Sequence, residues 1–361
     1  MTADTVGGVW TYAIELAGLL GGYGVEVDLA TMGRKLTQAQ RREAGRLSNV
    51  LVHETEYRLE WMSEPWADVE RAGGWLLDLE QRLAPDVIHL NNYCHASVPF
   101  SAPKLVVGHS CVYSWWESVH GTEPSPEWAR YHEAVTAGLA AADFVAAPSR
   151  AMLNALHRHY GIKGRYAVIP NARTLAAAAS SDTVKEPFIL AAGRAWDAAK
   201  NLELLDRAAA GLDWPLVVAG ACESPDGRGA SFRNARPLGE LPAEELRDYY
   251  SRASIYALPA RYEPFGLSVL EAAAHGCALV LGNIPSLREN WMGAAAFAPP
   301  ESEHAVREAI RYLIREPEER QRLGRLARER SRRFEPSVMA EAYLSLYDEL
   351  LREEEAGACA S

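Results

Sequence analysis

Short apolar runs, each followed by a turn rich in glycine or proline and then by a stretch of helical period, recur along the chain and leave few folds open to it. In the first half these runs fall near residues 25–30, 85–90, 104–108, 141–149 and 166–171. In the second they fall near 187–194, 215–220, 255–259 and 278–281. Strands that alternate with helices in this way build a parallel sheet covered on both faces. Between the two series lies Ala172-Arg-Thr-Leu-Ala-Ala-Ala-Ala-Ser-Ser-Asp-Thr-Val-Lys-Glu186, low in complexity and without a core face, which reads as a linker. With 361 residues the chain is longer than one hydrophobic core usually spans. The expectation is therefore two Rossmann-like domains of similar size over 1–171 and 187–335, joined by a linker at 172–186 and followed by a helix and tail at 336–361.

The first unit begins on a very short apolar start that runs into Gly7-Gly8. Trp10, Tyr12, Ala13, Ile14, Leu16, Ala17, Leu19 and Leu20 then recur at helical spacing as far as Gly21-Gly22. Such a strand-turn-helix lets backbone approach a ligand at a helix N-terminus. The first strand of a doubly wound sheet is central, and this one is short enough that a few apolar residues are expected to be missing from its start. Residues 41–60 are polar, with fragments of helix and strand, and 75–83 form a helix. Ser149 is placed to N-cap a helix reaching about Tyr160, and the closing helices cover 303–333 and 336–355.

A formal net charge of -11 excludes nucleic acid as the main partner, because neutralising phosphates takes clustered Lys and Arg. The basic run at 315–333 is interleaved with Glu316, Glu318, Glu319 and Glu329 and reads as a solvated helix face. Cys94, Cys111, Cys222, Cys277 and Cys359 are odd in number and form no CxxC pair. They imply neither a disulfide framework nor a zinc site, which fits a reducing cytoplasm. No stretch approaches the roughly 18 apolar residues of a membrane span, and the start lacks the basic-then-apolar order of a signal peptide. A peripheral membrane contact stays open.

The candidate chemistry lies in Ala260-Arg-Tyr-Glu263-Pro-Phe265-Gly266-Leu267-Ser-Val-Leu-Glu271, which sets two carboxylates eight positions apart across a turn. A strand at 255–259 and a helix from about Ser268 make 263–267 a loop at the carboxyl end of a parallel strand, where open α/β sheets bind ligands. The N–H groups at the helix start suit a diphosphate. A carboxylate accepts hydrogen bonds from vicinal hydroxyls, so the two acids can hold two sugar rings of one nucleotide-sugar. Spacing alone leaves a second reading of equal weight, since Ser268-Val-Leu-Glu271 is also a capping box that satisfies the helix end.

This stretch resembles the E-x7-E signature of the family 4 retaining glycosyltransferases of the GT-B fold, within Tyr262-Glu-Pro-Phe-Gly-Leu267 and Glu271-Ala-Ala-Ala-His-Gly276. The likeness extends to the Gly7-Gly8 turn, His109 after the run ending at Gly108, Val168-Ile-Pro-Asn171, Gly193-Arg194 with Lys200-Asn201, Pro237-Leu-Gly239 and the closing helix. Residues 31–85 carry little of it. The chain departs from the family at Ala260, where Ser is frequent, and at Ala278, where Pro is common; neither position touches chemistry.

The resemblance implies two Rossmann-like domains facing a central cleft, with the C-terminal helix crossing back to the N-terminal domain. It implies transfer of a sugar from a nucleoside-diphosphate-sugar to a hydroxyl of a saccharide, lipid-linked or small-molecule acceptor, as in polysaccharide biosynthesis, with retention. The donor is a co-substrate; no cofactor and no metal are implied, and the chain has no D-x-D pair. By the same carry-over Arg194 and Lys200 neutralise the donor diphosphate, whose charge grows as it leaves. Glu263 contacts the transferred sugar and Glu271 the ribose hydroxyls, while Phe265, Gly266 and Leu267 offer backbone N–H groups. His109 contacts the transferred sugar or leaving phosphate, so that Glu263, His109, Arg194 and Lys200 form the catalytic set.

Gly7, Gly8, Trp10, His109, Trp115 and Trp116 mark the acceptor side, where aromatic faces can stack on sugar C–H surfaces; by themselves Trp115 and Trp116 read equally well as packing. The carboxylate pair is not assigned the two-carboxylate mechanism of glycosidases. Front-side attack, with the departing phosphate taking the acceptor proton, is what the resemblance suggests. Two other readings are a nucleotide-sugar epimerase on the same scaffold and a non-catalytic nucleotide-sugar-binding protein.

Overall fold

The computed structural model describes residues 1–174, 184–223, 227 and 229–358. The middle of the expected linker, 175–183, and the end of the tail, 359–361 with Cys359, lie outside the described residues. The chain divides into two compact units. One comprises Met1–Glu117, Thr122–Ala172 and Pro336–Ser361, the other Ser118–Gly121 and Arg173–Glu335.

The N-terminal stretch runs β1 (Thr2–Asp4), α1 (Gly8–Gly21), β2 (Val27–Met32), α2 (Gln38–Ala44), β3 (Val50–Glu54), α3 (Trp66–Leu83), β4 (Ile88–Leu90) and β5 (Lys104–Val107). It continues through α4 (Val112–His120), α5 (Ala129–Ala141), β6 (Phe144–Ala147), α6 (Arg150–Tyr160) and β7 (Arg165–Val168). The strands form two parallel sheets, β1-β2-β3 and β4-β5-β6-β7. β1 and β4 have three residues each. No ladder joins them; Asn91, just past β4, instead donates from its backbone N–H to Thr2 Oγ1 at 2.8 Å and from Nδ2 to the Thr2 carbonyl at 2.7 Å. Ser149 caps α6, its hydroxyl accepting from the Met152 N–H at 3.1 Å.

The second unit holds β8 (Glu186–Ala192), α7 (Leu202–Ala208), β9 (Leu216–Ala219), β10 (Ala235–Gly239), α8 (Ala243–Arg252), β11 (Ala253–Leu258), α9 (Leu267–Ala274) and β12 (Ala278–Gly282). α10 (Pro285–Trp291), β13 (Ala295–Ala298), α11 (Glu303–Arg315) and α12 (Pro317–Ser331) complete it, and α13 (Pro336–Ala358) follows. Its sheet is parallel with order β10-β9-β8-β11-β12-β13. The order reverses between β8 and β11, which makes the carboxyl ends of those two strands the switch point at which such sheets bind ligands. Every residue of β11 and β12 is buried, which is why 255–258 and 278–281 read in sequence as unbroken apolar runs.

α13 belongs to the first unit, where Met339, Tyr343, Leu346 and Leu350 join Tyr12, Ala13, Leu16 and Leu20 of α1 in one apolar cluster. Full burial of each leucine is worth about 1.5–3 kcal/mol, so these contacts hold the C-terminal helix in place.

Three expectations change. The helix expected over 303–333 is two, because Pro317 has no N–H with which to continue α11 but fits the first position of α12. The helix expected at 75–83 begins at Trp66, and its buried face adds Ala72 and Gly73 to Leu76 and Leu79. The edge strands β10 and β13 were not expected. Among the described residues no helix is long and apolar enough to cross a membrane.

Candidate active site

The loop after β8 is built by close backbone packing. Gly220, after β9, has φ +129°, and a Cβ there would lie 1.9 Å from the Gly193 carbonyl oxygen, so only glycine fits. Next to Gly193, Arg194 donates from Nη2 to Asp197 Oδ2 at 2.7 Å and lies 5.2 Å from the Trp196 ring centre. Asp197 is buried, and its other oxygen accepts from the Ala199 N–H at 3.0 Å. Arg194 is thereby aimed while its side chain stays 40% exposed.

The Lys200 side chain runs along Gly193, and its ammonium donates to Glu263 Oε2. Asn201 takes a left-handed conformation, φ +59°, that asparagine tolerates, and donates from Nδ2 to the carbonyls of Pro259 at 2.9 Å and Pro300 at 2.7 Å. It ties the start of α7 to the end of β11. Asp197 was missed in sequence, where its one signal was a carboxylate three positions after Arg194.

The loop after β11 is held from the side of α10. The Glu263 carbonyl accepts from Ser286 Oγ at 2.5 Å and the Phe265 carbonyl from Asn290 Nδ2 at 3.2 Å. Phe265 is buried edge-on against Phe334, with centroids 5.2 Å apart. Gly266 is the N-cap of α9 at φ +93°, without a side-chain cap, and half-buried Leu267 opens the helix. The first turn of such a helix keeps N–H groups without intrahelical partners and the positive end of its dipole.

The capping-box reading of Ser268 and Glu271 is corrected by this geometry. The helix starts at Leu267, so Ser268 lies inside it, and its hydroxyl accepts from Tyr256 Oη at 2.8 Å. The Glu271 carboxylate instead accepts from Arg173 Nε at 3.0 Å. Arg173, counted with the linker in the sequence reading, belongs to the second unit. Tyr250 is buried nearby, and burial followed by the Glu271 charge keeps its phenol well above the ordinary value.

In the first unit Gly7 is the N-cap of α1, again without a side-chain cap, and a Cβ on Gly8 would meet nothing within 4 Å. Trp10 is not presented to a ligand: it is buried, and its indole N–H donates to Glu43 Oε2 at 2.8 Å, joining α1 to α2. His109, just past β5, bonds through Nε2 to Asn91 Oδ1 at 2.8 Å and sits edge-to-face on Tyr12 with centroids 4.4 Å apart. The amide of Asn91 is engaged by Thr2, which turns Oδ1 to the imidazole and makes Nε2 the protonated nitrogen. His109 is half-buried, and the protein around it strips solvent from the ring and pushes its pKa down to about 3. It is neutral at pH 7. Trp115 and Trp116 are half-buried on α4 with ring centroids 6.3 Å apart, and Trp116 Nε1 donates to Thr122 Oγ1 at 3.3 Å.

Of the residues singled out in sequence, Arg194, Lys200, Glu263, Phe265 and Gly266 thus stand on the two loops that flank the switch point, with Leu267 in the first turn and Glu271 in the second turn of the helix that follows. His109, Gly7 and Gly8 stand at carboxyl strand ends of the first unit.

Two family profiles match the chain, Glycosyltransferase Family 4 over residues 6–176 and Glycosyl transferases group 1 over 176–330. Over 120 residues it is 37% identical to a glycogen synthase of Mycobacterium tuberculosis, covering 32% of this chain and 29% of the relative. Over 153 residues it is 28% identical to a D-inositol 3-phosphate glycosyltransferase of Corynebacterium glutamicum, covering 38% of this chain and 36% of that one. The match therefore spans about a third of these relatives. A solved sucrose-phosphate synthase from Thermosynechococcus elongatus superposes with a TM-score of 0.77 at 22% identity, covering 98% of this chain and 96% of that one. The lipopolysaccharide glycosyltransferase WaaG gives 0.71 at 13% identity, covering 96% and 99%.

Proposed function

The chain belongs to the family 4 and group 1 glycosyltransferases, with the GT-B fold, and on that premise we propose that it moves a sugar from a nucleoside-diphosphate-sugar to an acceptor hydroxyl, with retention and without a metal ion. The observation that carries this reading is the Lys200–Glu263 contact at the β8/β11 switch point, beside Arg194 and the uncapped start of α9. Arg194, Lys200 and the first-turn N–H groups of α9 gather positive charge where a diphosphate leaving group would develop negative charge, and a preorganised donor set of this kind lowers the barrier without a metal.

In this reading Glu263 orients the hydroxyls of the transferred sugar and keeps the Lys200 ammonium aimed at the phosphates. Glu271 accepts from the ribose hydroxyls. The acceptor hydroxyl attacks from the face the phosphate leaves, and the departing phosphate oxygen takes its proton, so the chain supplies position and charge rather than a strong base. His109, neutral and anchored by Asn91, fits a hydrogen-bonding contact to sugar or phosphate rather than a general acid.

Relatives named for a diphospho-undecaprenol-linked sugar and for inositol 3-phosphate support lipid-linked and small-molecule acceptors, and glycogen synthase supports a polysaccharide. The four cysteines within the described residues form no disulfide, which suits a cytoplasmic enzyme. The test is incubation with a panel of uridine, guanosine and adenosine diphosphate sugars and mixed acceptors, with products read by mass and by the anomeric coupling of the new linkage. Transfer with retention supports the reading. Donor turnover to an epimer without acceptor, or inversion at the anomeric carbon, contradicts it.

A further inference from the structure

We propose that Arg173 is a positioning residue that sets the Glu271 carboxylate for recognition of a nucleoside ribose, an inference that rests on the reading of Glu271 as the ribose contact. The bond from Arg173 Nε to Glu271 Oε1, 3.0 Å, spans 98 positions in sequence, yet both residues lie in the second unit. The Glu271 side chain is 17% exposed and that of Arg173 25%, so the pair is largely withdrawn from water without being sealed from it.

A carboxylate in that setting is costly to keep ionised unless a cation or donors compensate it. The Ser268 hydroxyl of its own helix is turned to Tyr256, from which it accepts at 2.8 Å. The neighbouring Tyr250 phenol stays neutral and adds no positive charge. Arg173 supplies it, and the planar guanidinium fixes where the oxygens point. A ribose contact needs both conditions, an ionised acceptor and a defined direction toward two vicinal hydroxyls. A purely structural ion pair would hold α9 in place but would not bear on whether a 2′-hydroxyl is present.

That difference defines the experiment. Binding of UDP, GDP and ADP and of their 2′-deoxy counterparts is measured calorimetrically for the full chain and for Arg173→Ala, Arg173→Lys and Glu271→Ala, with thermal unfolding of each as a check on folding. For the diphosphate that binds, the proposal expects about a tenfold preference for ribose over deoxyribose, the scale of one hydrogen-bond partner left unpaired. Arg173→Ala is expected to raise the ribonucleotide Kd about tenfold and to bring the ribose to deoxyribose ratio near one, as Glu271→Ala does. Arg173→Lys, which keeps the charge but not the guanidinium plane, is expected to lie between; it also serves should Arg173→Ala not fold, since an unchanged ratio in the lysine variant overturns the proposal. A ratio that survives Arg173→Ala but not Glu271→Ala overturns the role of Arg173 and leaves the ribose contact standing. A ratio indifferent to Glu271→Ala, or no binding of any diphosphate, overturns the ribose reading and this inference with it.

Discussion

Lys200 and Glu263, 63 positions apart in sequence, share a charge-assisted hydrogen bond at the one place in the second sheet where strand order reverses. β8 and β11 are direct neighbours, so the loops that follow them must meet. With side chains 17% and 11% exposed, the pair is screened far less than a surface ion pair.

Removing either partner should therefore cost function out of proportion to its size. Lys200→Ala and Glu263→Ala are each expected to lower the transfer rate by at least about 10²-fold, the scale of one lost transition-state contact. Because the two touch, the double variant should lose less than the product of the single losses, by a coupling of about 0.5–3 kcal/mol in a mutant cycle. Unchanged rates in both single variants would sink the site assignment.

His109 gives a prediction in pH. Above about 6.5 the ring is neutral folded or unfolded; between about 6.5 and about 3 the unfolded chain takes up a proton that the folded chain refuses, so stability falls as pH falls through that window. Burial holds His89 and His95 below the ordinary value too, and they act in the same direction. Urea unfolding between pH 7 and 4.5 should show a shallower loss for His109→Gln than for the natural chain, and equal slopes would refute the burial argument. Asn91→Ala should release the tautomer, seen as a shift of the His109 ring ¹⁵N signals away from the pure Nε2–H form.

Two glycines separate space needed by the fold from space needed by a ligand. Gly220→Ala drives a Cβ to 1.9 Å from the Gly193 carbonyl oxygen and is expected to cost about 3 kcal/mol or more, or to prevent folding. Gly8→Ala meets nothing in the protein and should raise stability by about 0.5 kcal/mol. If a substrate approaches the start of α1, the same variant should slow transfer several-fold; an unimpaired Gly8→Ala enzyme places the acceptor elsewhere.

Metal independence is tested by chelation. Transfer is expected to survive EDTA, because Arg194, Lys200 and the start of α9 supply the compensating charge. Activity lost on chelation and restored by Mg²⁺ or Mn²⁺ would show that this charge is insufficient.

Much of the second unit was legible because buried parallel strands such as β11 and β12 carry continuous apolar runs, 255–258 and 278–281. β10 was not, since Arg236 and Pro237 are exposed on an edge where a proline is tolerated, nor was the short alanine-rich β13. The capping box failed because the helix start is decided by a backbone angle at Gly266, which spacing does not report. Arg173 escaped notice in an alanine-rich stretch, its partner 98 positions away. Trp10 stood beside a glycine turn and was assigned to the acceptor side, yet its place in the apolar stripe with Ala13, Leu16 and Leu20 already put it toward the core.

Whether the β8/β11 switch point grips a nucleoside diphosphate is read from thermal unfolding against UDP, GDP, ADP and their sugars, since a ligand that binds only the folded state raises Tm. One base series is expected to raise Tm in the natural chain, and the rise is expected to shrink in Lys200→Ala and in Glu271→Ala. No rise with any diphosphate, or a rise undiminished in both variants, would refute that grip.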